Sequence, residues 1–421
     1  MWLRGRSADT LRDTLVDKLV REGHLRDQRV IAAFRAMPRE QFVPDVPLDD
    51  VYSSSEAIVT KRIDGVGVSS ASAPDVIAIM LEQLELGPGQ RVLEIGAGTG
   101  YNAALIAHVV GETGRVVTVD IDEDLVDGAR AHLAAAGVRN ADVVCGDGVL
   151  GYAPAAPFDR IILTVAAADI APCWQRQLTP KGRLVLPLSL GGPQRSIAFE
   201  RADECLCSVS VHSCSFIPLR GSLASSSLRL PLDAEGSIIV GASAATIGGE
   251  PGRFRAQLET LLATPGDDLP TGVCATPYEL ADGLGLWLAL ANDRLLTLWA
   301  DSASARGRAV PALLGSVERW HATQGVIGNE QLALLTPTGP RQHREGEPTR
   351  LGLAVRPYGA GLEQAERLRE QLVAWDAAGR PNDRGLRVRA YPTTSTVGPL
   401  GPGAILERRW SRLVIDWIDQ F

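Results

Sequence analysis

The chain has 421 residues, 45% hydrophobic and 22% charged, with a formal net charge of −8. Such a composition supports a globular core and two domains or more, and supplies no basic field for nucleic acid. Six cysteines are too few in this length for a disulfide scaffold, no apolar run spans a bilayer, and the N-terminus lacks a signal-peptide segment, so a cytoplasmic protein without a membrane partner is expected.

From Asp9 to Ala36, Leu11, Leu15 and Leu19 and then Val30, Ile31 and Phe34 recur at helical spacing, which predicts two short helices broken near Gly23. MPREQFVPD (37–45) is punctuated by prolines and leads into a loop region ending at SSASAP (69–74). A helix over Asp75–Leu84 is followed by strand 91–95, helix Tyr101–Val110, strand 115–121 and helix Glu123–Ala136, which Gly137 ends. Further strands are predicted over 141–147, 158–165 and 182–188. Near-continuous apolar strands alternating with helices indicate a doubly wound α/β domain with a parallel sheet covered on both faces.

That domain is expected to span 1–220, with a serine-rich linker over 221–235 and a distinct α+β domain over 236–421. In the second half, 237–242 reads as a strand and Arg253–Ala263 as an amphipathic helix. Thr276-Pro277-Tyr278-Glu279 has the pattern of a capped helix start, opening a helix to about Ala291. Strands follow over 294–300, near 331–336 and near 351–356. Leu362, Ala365, Leu368, Leu372 and Trp375 line one face of a helix over Leu362–Ala378, and LRVRAYP (386–392) alternates like a strand.

The stretch RVLEIGAGTGYNAAL (91–105) sets three glycines between a strand and a helix. Glycine there lets backbone approach a ligand, and the helix start offers free N–H groups. The spacing G-x-G-x-G departs from the dinucleotide pattern, and no Gly-Lys-Ser/Thr follows to make a phosphate loop. Glu94, two residues before Gly96, suits a cationic amine better than a pyrophosphate. Asp120, ending the second strand, can accept from both ribose hydroxyls, and Asp147-Gly148 ends the third strand on the same edge. A ligand with an amine, a ribose and an adenine meets all three, which is S-adenosylmethionine; the alternative is three strand-end caps.

MPREQFVPD, GVGVSSASAPDVIAIMLEQLEL, the glycine motif, CGDGVLGYAPAAPFDRIILTVAA, QLTPKGRLVLPL and SFIPLRG follow in order. Over roughly residues 25–220 they resemble the protein-L-isoaspartate O-methyltransferases. The resemblance implies a class I methyltransferase sheet, S-adenosylmethionine as donor (S-adenosylhomocysteine as product) and a peptide aspartyl or isoaspartyl carboxylate as acceptor. It implies that Glu94, Gly96, Ala97, Gly98, Thr99 and Gly100 hold the methionine part. It assigns Asp120 and Ile121 to the ribose and Asp147 and Gly148 to the adenine. Ser72, with Ser70, matches the segment over the acceptor carboxylate, with Ser72 as the catalytic candidate, and Thr164, Val165 and Ala166 match the loop that lines the acceptor site. Two departures bear on that site: Ala73 stands where the family has glutamine, and Ala168-Asp169 where it often has Ala-Pro.

The half beyond Gly221 resembles the extension of long family members associated with ribosomally made, modified peptides such as lanthipeptides, lasso peptides and graspetides. The partner so implied is a cyclised precursor peptide, one aspartate of which is esterified and closes to an aspartimide, with isoaspartate as its hydrolysis product. The competing readings are general isoaspartyl repair and a non-catalytic donor-binding adaptor. A carboxylate is ionised at neutral pH, so its methylation calls for placement rather than a base. No metal site is expected: Cys205, Cys207, His212 and Cys214 lie in an alternating strand without a zinc spacing. Trp375, Trp410 and Trp417 read as core residues, and the arginines of RPNDRGLRVR (380–389) as a solvated face or a contact for an acidic peptide.

Overall fold

The computed structural model describes residues 7–63, 65–223, 227–315, 319–342, 349–400 and 403–418. Helices α1 (Ala8–Arg21) and α2 (Gln28–Ala36) open the chain, capped by Ser7 and Asp27, and the short α3 (Leu48–Val51) follows. Next come β1 (Ile58–Ile63) and β2 (Val66–Ala71), an antiparallel hairpin where the sequence predicts a loop. Its exposed Val59, Ile63 and Val66 give no one-sided alternation to read.

The alternating core then runs α4 (Pro74–Leu84), β3 (Arg91–Ile95), α5 (Tyr101–Val110), β4 (Arg115–Asp120), α6 (Glu123–Ala135), β5 (Ala141–Cys145), β6 (Phe158–Leu163), α7 (Pro172–Gln177) and β7 (Leu178–Ser189). β8 (Gln194–Ala202) and β9 (Cys205–Cys214) complete this half. Strands β3 to β7 pair parallel, whereas β8 and β9 add antiparallel, so the sheet is mixed rather than purely parallel. One face buries Val92, Val116, Ile162 and Val185 under α2, α4 and α5, and the other buries Leu93, Val117, Ile161 and Leu184 with Trp174 of α7. This alternation along each strand is what two covered faces demand.

The segment over 221–235 is not only a linker: β10 (Ser227–Pro231) lies in it and pairs with β11 (Ile238–Ser243). After α8 (Ala244–Ile247) and α9 (Pro251–Leu262) come β12 (Leu269–Ala275), α10 (Gly285–Ala291), β13 (Leu295–Asp301), α11 (Ala305–Ala309), β14 (Leu314–Gly315), β15 (Trp320–Ile327), β16 (Gln331–Gln342), β17 (Arg350–Gly359) and α12 (Glu363–Ala377). Thr276 and Glu279 exchange the reciprocal cap bonds, but the turn they open is a π-helix over Glu279–Leu284 before α10 begins. The strands form an antiparallel sheet in the order β10-β11-β13-β15-β16-β17-β12, with β14 beside β15. Leu332 and Leu334 face α9, and Ala333 and Leu335 face α12, so helices cover both sides.

The last strands, β18 (Leu386–Pro392), β19 (Gly403–Glu407) and β20 (Ser411–Trp417), do not stay with that second sheet. β18 pairs with β9, extending the first sheet to ten strands in the order β19-β20-β18-β9-β8-β7-β6-β3-β4-β5. The expected unit over 236–421 is therefore split between two sheets. The free edge of β9 offered unpaired backbone groups, and β18 satisfies them. Trp375 is buried in the second core as expected, whereas Trp410 and Trp417 are only half-buried at the ends of β20. Arg195 on β8 pairs with Asp383 at 2.5 Å and donates to the carbonyl of Asp282 at 3.1 Å, joining the halves through a buried ion pair. Among the described residues, no helix is long and apolar enough to cross a membrane.

Candidate active site

Strand order reverses at β3: the chain moves through β4 and β5 on one side, then crosses to β6 on the other. Doubly wound sheets bind ligands at such a switch point, outside the carboxyl ends of the strands. Here the turn Gly96–Gly100 leaves β3 between the ends of β4 and β6. Gly96, Gly98 and Gly100 take φ of +102°, +51° and +88°, which side chains resist. A Cβ on Gly96 would stand 2.7 Å from Thr164 Oγ1, and one on Gly98 would stand 3.6 Å from the Ser70 carbonyl oxygen. The turn is thus pressed between the loop after β6 and strand β2.

A cleft opens there, with about 820 Å3 of space when the solvent at its open mouth is included. Gly96–Thr99 form its floor, Asp120, Ile121 and Gly148 one flank, and Thr164 and Val165 the other, with Ser69–Ser72 of the hairpin across them. The Asp120 carboxylate accepts from the N–H groups of Gly98 at 3.0 Å and Asp122 at 3.3 Å. Those bonds aim it along the cleft wall and leave acceptor capacity for hydroxyl groups. Bare glycine backbone and a lining carboxylate suit the amino-acid and ribose parts of S-adenosylmethionine.

Two acidic residues expected on the ligand are placed elsewhere. Glu94 is fully buried and does not line the cleft; its oxygens accept from Asn102 Nδ2 at 2.7 Å and Thr118 Oγ1 at 2.5 Å. It sits on an inner position of β3 and ties α5 to β4 beneath the glycine turn. Burial pushes its pKa up to about 7 against those two hydrogen bonds. Asp147 is also off the lining: it caps the turn Gly148–Leu150 through the Val149 N–H and accepts from Ser222 N at 3.0 Å and Ser222 Oγ at 2.8 Å. Burial alone would raise its pKa, but the donors from Val149 and Ser222 hold it below the usual carboxylate value. Gly221 packs so close that a Cβ there would meet the carboxylate at 2.9 Å. Its partner Gly148 does line the cleft.

On the flank expected to hold the acceptor, Thr164 Oγ1 donates to the Gly96 carbonyl at 2.6 Å, fixing the loop to the glycine turn. Ala166 is buried behind this wall rather than in it; it exchanges backbone bonds with Ile217 and Leu219, supporting the segment that brings Leu219 and Arg220 to the cleft. Ala73 is buried at the start of α4, beside the lining residue Ser72. Asp169 turns away from the cleft. Its carboxylate accepts from Trp410 N at 2.7 Å and Ser411 Oγ at 2.5 Å, which anchors β20 to the loop after β6.

Several lining residues carry no expectation from the sequence: Arg39, Tyr101, Asn102 and Arg220. Arg220 holds Asp122 at 2.7 Å, and Lys61 of the hairpin reaches the same carboxylate at 2.8 Å and Asp124 at 2.6 Å. The Arg220 bond, foremost, depresses the Asp122 pKa. This cluster fastens the hairpin across the ribose flank. Its signal in the sequence was faint, since Lys61 and Arg220 are single residues in segments without periodicity.

Residues 10–224 match the family profile described as protein-L-isoaspartate(D-aspartate) O-methyltransferase. A protein-L-isoaspartate O-methyltransferase of Methanopyrus kandleri is 39% identical over 212 residues, covering 50% of this chain and 91% of that protein. Protein-L-isoaspartate O-methyltransferase 2 of Archaeoglobus fulgidus is 37% identical over 223 residues, covering 52% of this chain and 98% of its own length. A solved protein-L-isoaspartate O-methyltransferase aligns with 90% of this chain and 96% of its own at 22% identity and a TM-score of 0.49. The match over half the chain, and over nearly the full length of these relatives, makes this chain a member of the protein-L-isoaspartate(D-aspartate) O-methyltransferase family, an S-adenosylmethionine-dependent protein carboxyl methyltransferase.

Proposed function

We propose that this enzyme esterifies the aspartate-derived carboxylate of a conformationally constrained peptide, selected with the help of the C-terminal half. The observation that carries this reading is the Asp169 anchor, which ties β20 to the very loop that presents Thr164 and Val165 to the cleft. A substrate held by the C-terminal half is thereby held at a fixed offset from the acceptor flank. In this reading Asp120 takes the ribose hydroxyls, with Ile121 beside it and Gly148 backing the adenine, and the backbone from Gly96 to Gly100 takes the amino-acid end. Glu94 and Asp147 hold the turns that make these seats, and Ala166 supports the wall.

The donor supplies an electrophilic methyl group on a sulfonium. The acceptor is ionised at neutral pH, so this chain's residues have no proton to remove. Their work is to orient and to exclude water. The Ser72 hydroxyl, with Ser70 and the Thr164–Val165 backbone, directs one carboxylate oxygen along the line of methyl and sulfur. A carbon–oxygen bond forms as the carbon–sulfur bond breaks, its electron pair staying on sulfur. The ester then reacts without the enzyme: the next residue's amide nitrogen attacks the carbonyl, loses its proton, and methanol leaves, giving an aspartimide that water opens to aspartate or isoaspartate.

The relatives favour a second reading, repair of isoaspartyl residues in proteins at large, because proteins named for that substrate match half of this chain over nearly their full length. Mass spectrometry separates the two. A macrocyclic aspartyl peptide and a linear isoaspartyl peptide are incubated with donor, and ester formation is followed by loss of methanol. Preference for the macrocycle supports the first reading; equal or better turnover of the linear isoaspartyl peptide supports repair.

A further inference from the structure

Four arginines among the described residues are buried: Arg39, Arg183, Arg195 and Arg389. Three have a carboxylate partner, Arg183 with Glu85 and Glu200, Arg195 with Asp383 and Arg389 with Asp416. Arg39 has none, although it is 1% exposed and lines the cleft. Its Nε donates to the Val51 carbonyl at 3.0 Å and its Nη2 to the Ser72 carbonyl at 2.8 Å, with a longer contact to Ala71 at 3.4 Å. The guanidinium carbon lies 5.0 Å from the centre of the Tyr101 ring, and Nη1 is buried without a hydrogen-bond partner. The neighbouring Glu40 is occupied elsewhere, accepting from the Tyr52 hydroxyl.

A buried cation served only by carbonyls and one ring face is expensive to keep, because burial disfavours its charged form. Its bonds to the Val51 and Ser72 carbonyls need donors but no charge, so the charge itself is left without a use inside the protein. The segment it grips, Ala71–Ser72, is the acceptor side of the cleft.

We propose that Arg39 is a positioning and specificity residue: it fixes Ser72 through the backbone and supplies the positive charge that the acceptor's carboxylate completes. The attraction has a direction in the reaction. The carboxylate is anionic when it binds and neutral once esterified, so the charge favours the bound acceptor over the transition state and over the ester. It therefore acts on acceptor affinity and on discharge of the product rather than on the methyl-transfer step. The inference rests on the carboxylate acceptor alone and not on the ring or sequence of the peptide.

The test uses the full chain, a linear peptide with one isoaspartyl residue, and the same peptide with that free carboxylate converted to a primary amide as a competitive inhibitor. Wild type, Arg39→Lys and Arg39→Met are compared, with S-adenosylhomocysteine calorimetry as the readout of an intact donor site. Wild type should bind the carboxylate peptide at least about tenfold more tightly than the amide. Arg39→Met should raise the acceptor KM by roughly 30-fold, leave kcat within about threefold and leave amide binding unchanged. Arg39→Lys should restore the preference for the carboxylate. Equal binding of carboxylate and amide by wild type overturns the proposal whatever the variants do. So does a loss in Arg39→Met that falls equally on both peptides, which is the mark of packing alone.

Discussion

The two flanks of the cleft are built differently. The proposed donor flank is one contiguous motif plus strand ends: Gly96–Thr99, Asp120 and Gly148 reach it because parallel strands place their carboxyl ends together. The acceptor flank is assembled from four separated stretches: Arg39, Ser69–Ser72, Thr164–Val165 and the segment through Arg220. A regular sheet makes the first self-positioning. The second depends on fasteners, namely Arg39 on the Ser72 carbonyl, Lys61 and Arg220 on Asp122, Thr164 on Gly96 and Asp169 on β20. Donor binding should therefore respond to single residues in the motif, whereas acceptor handling should respond to residues far from it.

The largest effect is expected on the donor flank. Asp120→Asn removes a charged acceptor of hydrogen bonds worth about 1.5–3 kcal/mol, so S-adenosylhomocysteine should bind roughly 10- to 100-fold more weakly by calorimetry. The acceptor KM at saturating donor should stay within about twofold. A matching rise in acceptor KM would merge the two flanks into one.

On the other side, Asp169→Ala leaves the Trp410 N–H and the buried Ser411 hydroxyl without their acceptor, a loss of about 1–3 kcal/mol. Limited proteolysis should cut the β19–β20 hairpin sooner, and acceptor KM should rise while donor affinity holds. An unchanged acceptor KM with a loosened hairpin would remove the C-terminal strands from substrate handling.

The smallest effect concerns pH. Glu94 has a folded pKa of about 7 against an ordinary value of 4.5. The folded state thus keeps a proton that the unfolded chain releases. The stabilisation this gives is complete below 4.5 and is lost as pH rises through about 7. Glu94→Gln keeps an oxygen for Asn102 and has no charge to bury. Relative to wild type, its Tm should improve steadily as pH rises from 5 through about 7. A constant offset across that range would place the Glu94 charge outside the stability balance.

The contrast between the flanks also describes what sequence could reveal. The strands from Arg91 to Leu163 and their helices were legible because apolar runs and glycine stops leave few alternatives. The glycine motif and Asp120 were legible because their spacing is their geometry. The partners of Glu94 and Asp147 were not legible: a carboxylate at a strand end looks alike whether it meets ligand or turns inward to Thr118, or outward to Ser222. The β1–β2 hairpin escaped because it is exposed and irregular in register. β18–β20 were assigned to the wrong body because alternation shows that a strand has a covered face, not which sheet it joins. Arg39 sat within the quoted MPREQFVPD, but nothing in a single sequence shows that a charge lacks a partner.

The most direct measurement is Ser72→Ala, read by S-adenosylhomocysteine calorimetry and by methyl transfer from labelled donor to an isoaspartyl peptide. Ser72 lines the cleft, and in the proposed reading its hydroxyl orients the acceptor carboxylate at a net worth of about 1 kcal/mol. Turnover should fall by roughly fivefold with donor affinity unchanged, and the transferred label should remain base-labile, as an ester is. An equal loss of donor affinity and turnover, or a label that resists base, would contradict the account.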